Sequence, residues 1–230
     1  MKKQLKNNQG GNLNNSIIVE SLNGQKKADF CIVWLHGLGA NGHDFESIVP
    51  ELKTDLAIKY IFPNAPMSPV TVNGGAVMPS WYDIRSMESI TENADWQGMQ
   101  ASENYLNQLI EQVEKEGFSR QKILLAGFSQ GGVIAYRTAL LSPKPFAGIM
   151  ALSTYLPLEG TENIQQPKNI PIMIAHGIQD PVVPFKTAEN ANQRLTELGY
   201  KPKNLNYPMA HQVCYEEIQD MANFIKEVFK

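Results

Sequence analysis

Five short apolar runs, bounded by turn residues and separated by longer amphipathic stretches, leave few folds open to this chain. They are Phe30 to Leu35, Ile58 to Phe62, Ile123 to Ala126, Gly148 to Leu152 and Ile172 to Ala175. Continuous apolar strands of this kind belong to a sheet covered on both faces. The stretches between them carry helical periodicity: Tyr105, Leu106, Leu109, Ile110 and Val113 share one face, and Ala188, Ala191, Leu195 and Leu198 share another before Gly199. A late strand near Lys203 to Tyr207 precedes a closing segment with Ile218, Met221, Ala222, Ile225 and Phe229 on one side. There, Glu216 and Glu217 at the start and Lys226 and Lys230 at the end complement a helix dipole. Strand and helix alternating in this way predict an α/β fold with a mainly parallel central sheet flanked by helices.

A chain of 230 residues with 43% hydrophobic content is large enough for one core of that type. The expected division is a disordered tail over residues 1–15, rich in Asn, Gly and Lys, followed by one domain over 16–230. Twenty basic and 23 acidic residues give a net charge of −3 without long blocks of either sign, so no nucleic-acid partner is expected. Two cysteines, Cys31 and Cys214, form neither a CxxC pair nor a disulfide framework, and no stretch is long and apolar enough to span a membrane. A cytoplasmic protein with reduced thiols is the expectation.

The run Ile123 to Ala126 leads into Gly127-Phe128-Ser129-Gln130-Gly131 and then into a helical stretch, Gly132 to Leu141. On its own the GxSxG pentapeptide is a weak signal. Strand, sharp turn and helix in sequence are what exposes a nucleophilic serine, and the glycines let strand and helix approach closely. A serine hydroxyl needs a base to accept its proton and a third group to orient that base. Of four histidines, His36 and His176 end strands and His43 lies at the beginning of a helix, so each has a structural reading. His211 lies in the loop before the closing helix, and Asp180 falls just past the strand Ile172 to Ala175. Both follow the serine, in the order acid then histidine. Asp180 could instead cap the helix beginning near Pro184. Asp83 and Asp95 precede the serine and fit that order less well.

The catalytic set is therefore Ser129, Asp180 and His211, with backbone N–H groups of Leu38 and Gln130 as the oxyanion hole. Residues from about Pro63 to Ser80 show neither period and read as a long apolar loop walling the site. Met67, Val70, Val72, Met78 and Trp81 are the expected substrate-binding residues. No spacing for zinc, calcium, nucleotide or dinucleotide binding occurs, so neither metal nor cofactor is implied. Cys214, three residues from His211, reads as a small packing residue beside the closing helix rather than a nucleophile.

Together, HGLGANGHDF at His36 to Phe45, FPNAP at Phe62 to Pro66, NGG and MPSWYDI at Asn73 to Ile84, GFSQGG at Gly127 to Gly132, HGIQDPVVP at His176 to Pro184 and HQVC at His211 to Cys214 form a specific set. The chain from about Ile17 onward resembles the phospholipase/carboxylesterase family of small α/β-hydrolases, which includes bacterial carboxylesterases and acyl-protein thioesterases. The resemblance implies an α/β-hydrolase fold without a large cap domain, frequent pairing into homodimers, and a border to the acyl pocket between Phe62 and Trp81. It implies the same triad and oxyanion positions. HQVC and the residues around Asn41 look more like the bacterial branch, while Ala210 and Tyr215 stand where Gly and Pro are expected.

These readings point to a serine carboxylesterase acting on short- to medium-chain carboxylic esters or thioesters through an acyl-serine. The alternative within the class is an acyl-protein thioesterase or lysophospholipase, whose partners would be acylated proteins or lipids with at most transient membrane contact. The alternative from another class is a non-catalytic hydrolase-fold binding protein. Such a protein would lack nucleophile or base, and this chain keeps both.

Overall fold

The computed structural model describes residues 11–86, 94–157 and 163–230. Seven strands form one sheet: β1 (Ser16–Ser21), β2 (Phe30–Leu35), β3 (Ile58–Pro63), β6 (Ile123–Phe128), β7 (Gly148–Leu152), β8 (Ile172–Gly177) and β9 (Lys203–Tyr207). Their order is β1-β3-β2-β6-β7-β8-β9, and β1 is antiparallel to β3 while every other pairing is parallel. Five strands thus coincide with the five apolar runs.

The helices are α1 (Val49–Leu52), α2 (Trp96–Lys115), α3 (Gln130–Leu140), α4 (Lys186–Glu197) and α5 (Tyr215–Val228). Period-two alternation divides β2 between two cores. Cys31, Val33 and Leu35 join the layer that holds Leu106, Leu109, Ile110 and Val113 of α2, and Ile32 and Trp34 join the layer with Met221 and Ile225 of α5. Asp95 caps α2 by accepting from the Gly98 N–H at 3.2 Å. At the end of α4, Gly199 takes φ +85°, and the Tyr200 N–H closes on the Leu195 carbonyl at 2.9 Å. Among the described residues no helix is long and apolar enough to cross a membrane.

The stretch expected as a structureless loop contains a hairpin. Strand β4 (Met67–Val70) pairs antiparallel with β5 (Ala76–Pro79) across a 3₁₀ turn at Thr71–Asn73. Gly74 and Gly75 follow with positive φ, and Asp83 accepts from the Thr71 N–H at 2.7 Å. Pro69 and Pro79 hide these strands from a propensity reading, yet proline is tolerated in a two-stranded ribbon with unpaired edges. Residues 1–10 of the expected tail lie outside the described residues. Residues 11–15 pack on α2, where Gln112 accepts from the Leu13 N–H and donates to the Gly11 carbonyl.

Candidate active site

Strand β6 delivers Ser129 into a turn at φ +53°, ψ −122°, a conformation that costs a non-glycine residue about 1–3 kcal/mol. Neighbours hold it there. The Ser129 N–H donates to the Leu152 carbonyl at 2.9 Å, and Thr154 Oγ1 donates to the Ser129 carbonyl at 2.6 Å. The two flanking glycines are there because backbone passes too close for a side chain. A Cβ on Gly127 would collide with the Gly131 carbonyl, and one on Gly131 would stand 2.5 Å from the His36 oxygen and 2.6 Å from that of Leu35. Gly131→Ala is expected to destabilise the fold by about 3 kcal/mol, read from urea denaturation, because both obstacles are backbone. A variant with the parent's denaturation midpoint would mean that β2 and α3 can separate freely.

Past the end of β8, Asp180 has a side chain wholly buried in a tight turn. Its Oδ1 accepts from the N–H groups of Val182 and Val183 at 2.8 and 2.9 Å, and its Oδ2 accepts from His211 Nδ1 at 2.7 Å. Asp180 does not cap α4, whose N-cap is Phe185 with no side-chain bond; one oxygen holds the turn ahead of that helix and the other faces His211. The loop carrying His211 lies against the same turn: Gln179 N–H donates to the Met209 carbonyl at 3.1 Å. Gly177 permits that approach, since a Cβ there would strike the Met209 and Ala210 carbonyls. The His211 ring rests on Phe128, ring centroids 4.7 Å apart, and its Nε2 lies 3.0 Å from Ser129 Oγ.

Three residues far apart in sequence thus form one hydrogen-bonded line from carboxylate to imidazole to hydroxyl. The other histidines are occupied elsewhere. His36 is buried, with Nδ1 2.7 Å from the Gly37 carbonyl and Nε2 accepting from the Ala65 N–H at 3.0 Å. His176 Nε2 lies 2.8 Å from the Val183 carbonyl and 3.5 Å from Asp180 Oδ2. Burial lowers the pKa of both rings and keeps them neutral. His43 is exposed beside Glu46.

A cavity of about 300 Å³ opens over Ser129, its walls including Leu38, Tyr82, Ile84, Phe128, Tyr155, Val182 and His211. Leu38 and Gln130 border it, and neither backbone N–H has a partner among the described residues. The expected pocket residues are placed differently. Met67 and Val72 are exposed on the hairpin, Val70 is buried beneath it, and Met78 sits beside Gly39. Trp81 faces the core, its indole N–H donating to the His36 carbonyl at 2.9 Å and its ring edge-on to Tyr105. None of these five lines the cavity. The hairpin turns outward, and the next residues of the same block, Tyr82 and Ile84, take the wall instead.

Sequence reasoning also missed the Gln130 side chain. Its Oε1 accepts from the Trp81 N–H at 2.9 Å, and its Nε2 donates to Ser80 Oγ at 3.0 Å and to the Tyr82 carbonyl at 2.5 Å. Only the position of Gln130 beside the serine drew attention to it. Tyr155 could have been found from its place just past the carboxyl end of β7, the sheet edge where ligands bind in α/β folds.

The chain is similar to known proteins over most of its length. A family model described as phospholipase/carboxylesterase matches residues 15–229. A protein of Neurospora crassa named acyl-protein thioesterase 1 is 37% identical over 209 residues, covering 85% of each chain. One of the same name from Debaryomyces hansenii is 36% identical over 218 residues, covering 89% of this chain and 94% of the other. Among solved structures, SOBER1 of Arabidopsis thaliana superposes with a TM-score of 0.81 at 30% identity, covering 87% of this chain and 99% of that one. Acyl-protein thioesterase 2 of Zea mays gives a TM-score of 0.77 at 25% identity, with coverages of 94% and 99%.

Proposed function

The chain belongs to the phospholipase/carboxylesterase family of serine hydrolases, and we propose that it cleaves short- to medium-chain carboxylic esters or thioesters through an acyl intermediate on Ser129. The observation that carries this reading is the line Asp180–His211–Ser129, with contacts of 2.7 and 3.0 Å, at the floor of a largely apolar cavity.

In this mechanism His211 Nε2 takes the Ser129 proton as Oγ attacks the acyl carbonyl. Asp180 accepts the Nδ1–H of the ring and stabilises the imidazolium that forms. The carbonyl oxygen becomes an oxyanion beside the free N–H groups of Leu38 and Gln130, each such donor being worth roughly 10²–10³ in rate. Imidazolium returns the proton to the departing alkoxide or thiolate. Water then repeats the sequence on the acyl-serine, releasing the acid and restoring the hydroxyl.

A second reading within the class is depalmitoylation of acyl-proteins or cleavage of lysophospholipids, favoured by relatives that bear the acyl-protein thioesterase name. Hydrolysis of p-nitrophenyl esters from acetate to palmitate separates the two. Turnover is expected to peak at short chains, to disappear with Ser129→Ala, and to be matched by fluorophosphonate labelling of the parent alone. Ester turnover that survives Ser129→Ala would refute the mechanism, and a long-chain optimum would favour the second reading.

A further inference from the structure

The cavity over Ser129 runs from an open rim to a closed interior. Asp44 and Val182 stand exposed at its mouth, while Tyr82 and Tyr155 on its wall are 4% and 2% exposed. The two phenol oxygens lie 3.0 Å apart. Both residues are tied to neighbours of the nucleophile: the Gln130 carboxamide fixes the Tyr82 carbonyl, and Tyr155 follows Thr154, whose hydroxyl is bonded to the Ser129 carbonyl. The pair is thus a fixed part of the site, tied through backbone to the nucleophile itself.

Two phenols carry two O–H protons, but a contact between them uses only one. Each hydroxyl can donate once and accept twice, so one donor remains unspent. Neither hydroxyl has another partner among the described residues. Burial raises both phenols' pKa values, Tyr155 to about 12 and Tyr82 well above the ordinary value, so both protons stay in place at neutral pH. The wall of this largely apolar cavity therefore carries an O–H donor without an acceptor among the described residues.

We propose that the Tyr82–Tyr155 hydroxyl pair is a polar stop that sets the acyl chain-length limit of the enzyme. The inference rests on the hydrolase reading above and names the feature that decides its substrate class. A methyl-terminated chain long enough to reach the phenols covers the spare O–H with hydrocarbon and strips it of any water partner. Leaving a buried donor unmet weakens binding by about tenfold or more. A shorter chain ends before the pair and escapes that loss. A cavity of about 300 Å³, at the low end for small-molecule sites, is consistent with a short acyl group.

The test is the double variant Tyr82→Phe with Tyr155→Phe, which removes both hydroxyls and keeps both rings, measured with the parent and each single variant. The readout is kcat/KM on p-nitrophenyl esters from acetate to palmitate, with fluorophosphonate labelling to count reactive Ser129. The double variant is expected to raise the ratio of long-chain to short-chain kcat/KM by about tenfold. That loss of discrimination is distinct from the uniform fall that a damaged fold would cause. A double-variant profile of the same shape as the parent's, with Ser129 still labelled, overturns the polar stop and leaves the hydrolase reading intact. Absence of Ser129-dependent turnover in the parent overturns both. Each single variant still carries one unmet O–H and is expected to keep the parent's profile. If the double variant fails to fold, the parent decides: acyl esters ending in a methoxy group, whose oxygen can accept from the spare O–H, are expected to be favoured about tenfold over methyl-terminated esters of equal length, and equal kcat/KM overturns the stop.

Discussion

Asp180→Asn is expected to lower kcat by about 10⁴ while leaving the fold intact, because it forces the wrong tautomer on His211. Asp180 uses one oxygen to hold the Val182 and Val183 N–H groups and the other to accept from His211 Nδ1. An asparagine has one acceptor oxygen and one NH₂ donor. The turn claims the oxygen, since two backbone donors converge on it at 2.8 and 2.9 Å. The NH₂ then faces Nδ1, which must accept, and the ring proton moves to Nε2. There it points at Ser129 Oγ, 3.0 Å away, and the ring can no longer take the serine proton. The measurement is kcat on a short-chain ester together with the thermal unfolding midpoint. A variant retaining a tenth or more of parental kcat would show that His211 does not depend on Asp180 for its orientation.

The same site shows why some features were legible in the amino-acid order and others were not. Strand β6, the elbow and α3 follow one another in sequence, so apolar run, glycines and helical stretch can be read locally. Asp180 and His211 can be singled out because the chain order of a hydrolase triad restricts where acid and base can stand, and the structure brings both into one hydrogen-bonded line with Ser129. The pocket wall obeys no local rule. Tyr82 comes from the segment behind the hairpin, Tyr155 from the end of β7 and Val182 from the Asp180 turn, and only the packed sheet edge brings them together. The Met67, Val70, Val72, Met78 and Trp81 reading failed for a related reason. Apolar composition marks a segment as able to line a pocket, but the turn at Thr71–Asn73 decides which way it faces. Gly177 was passed over because its contacts, the Met209 and Ala210 carbonyls, lie more than thirty positions away.

Glu217 is a further case, and it leads to the second large effect. From sequence it belongs to a helix start whose acidic residues serve the dipole. In the structure it is fully buried at the third position of α5, beside the loop that carries His211. A carboxylate at that position reaches back toward the Cys214 N–H, which favours ionisation, but neither oxygen completes a hydrogen bond of good geometry. Burial dominates, with the charge of Asp220 adding to it, and raises the Glu217 pKa from 4.5 to about 8.

The sign of the consequence follows. Below pH 4.5 both the folded and the unfolded chain hold the proton, and Glu217 costs nothing extra. Between 4.5 and 8 the unfolded chain releases it while the folded chain retains it, so stability falls as pH rises, and above 8 the loss levels off. Glu217→Gln stays neutral throughout and removes this slope. Relative to the parent, the variant is expected to gain about 4 kcal/mol between pH 5 and pH 9, on the order of 10 °C in unfolding midpoint for a chain of this size. Comparing the two proteins at both pH values cancels any constant cost of the amide. A midpoint difference that is the same at pH 5 and pH 9 would mean that Glu217 is already ionised in the folded chain, and that the start of α5 solvates its charge after all.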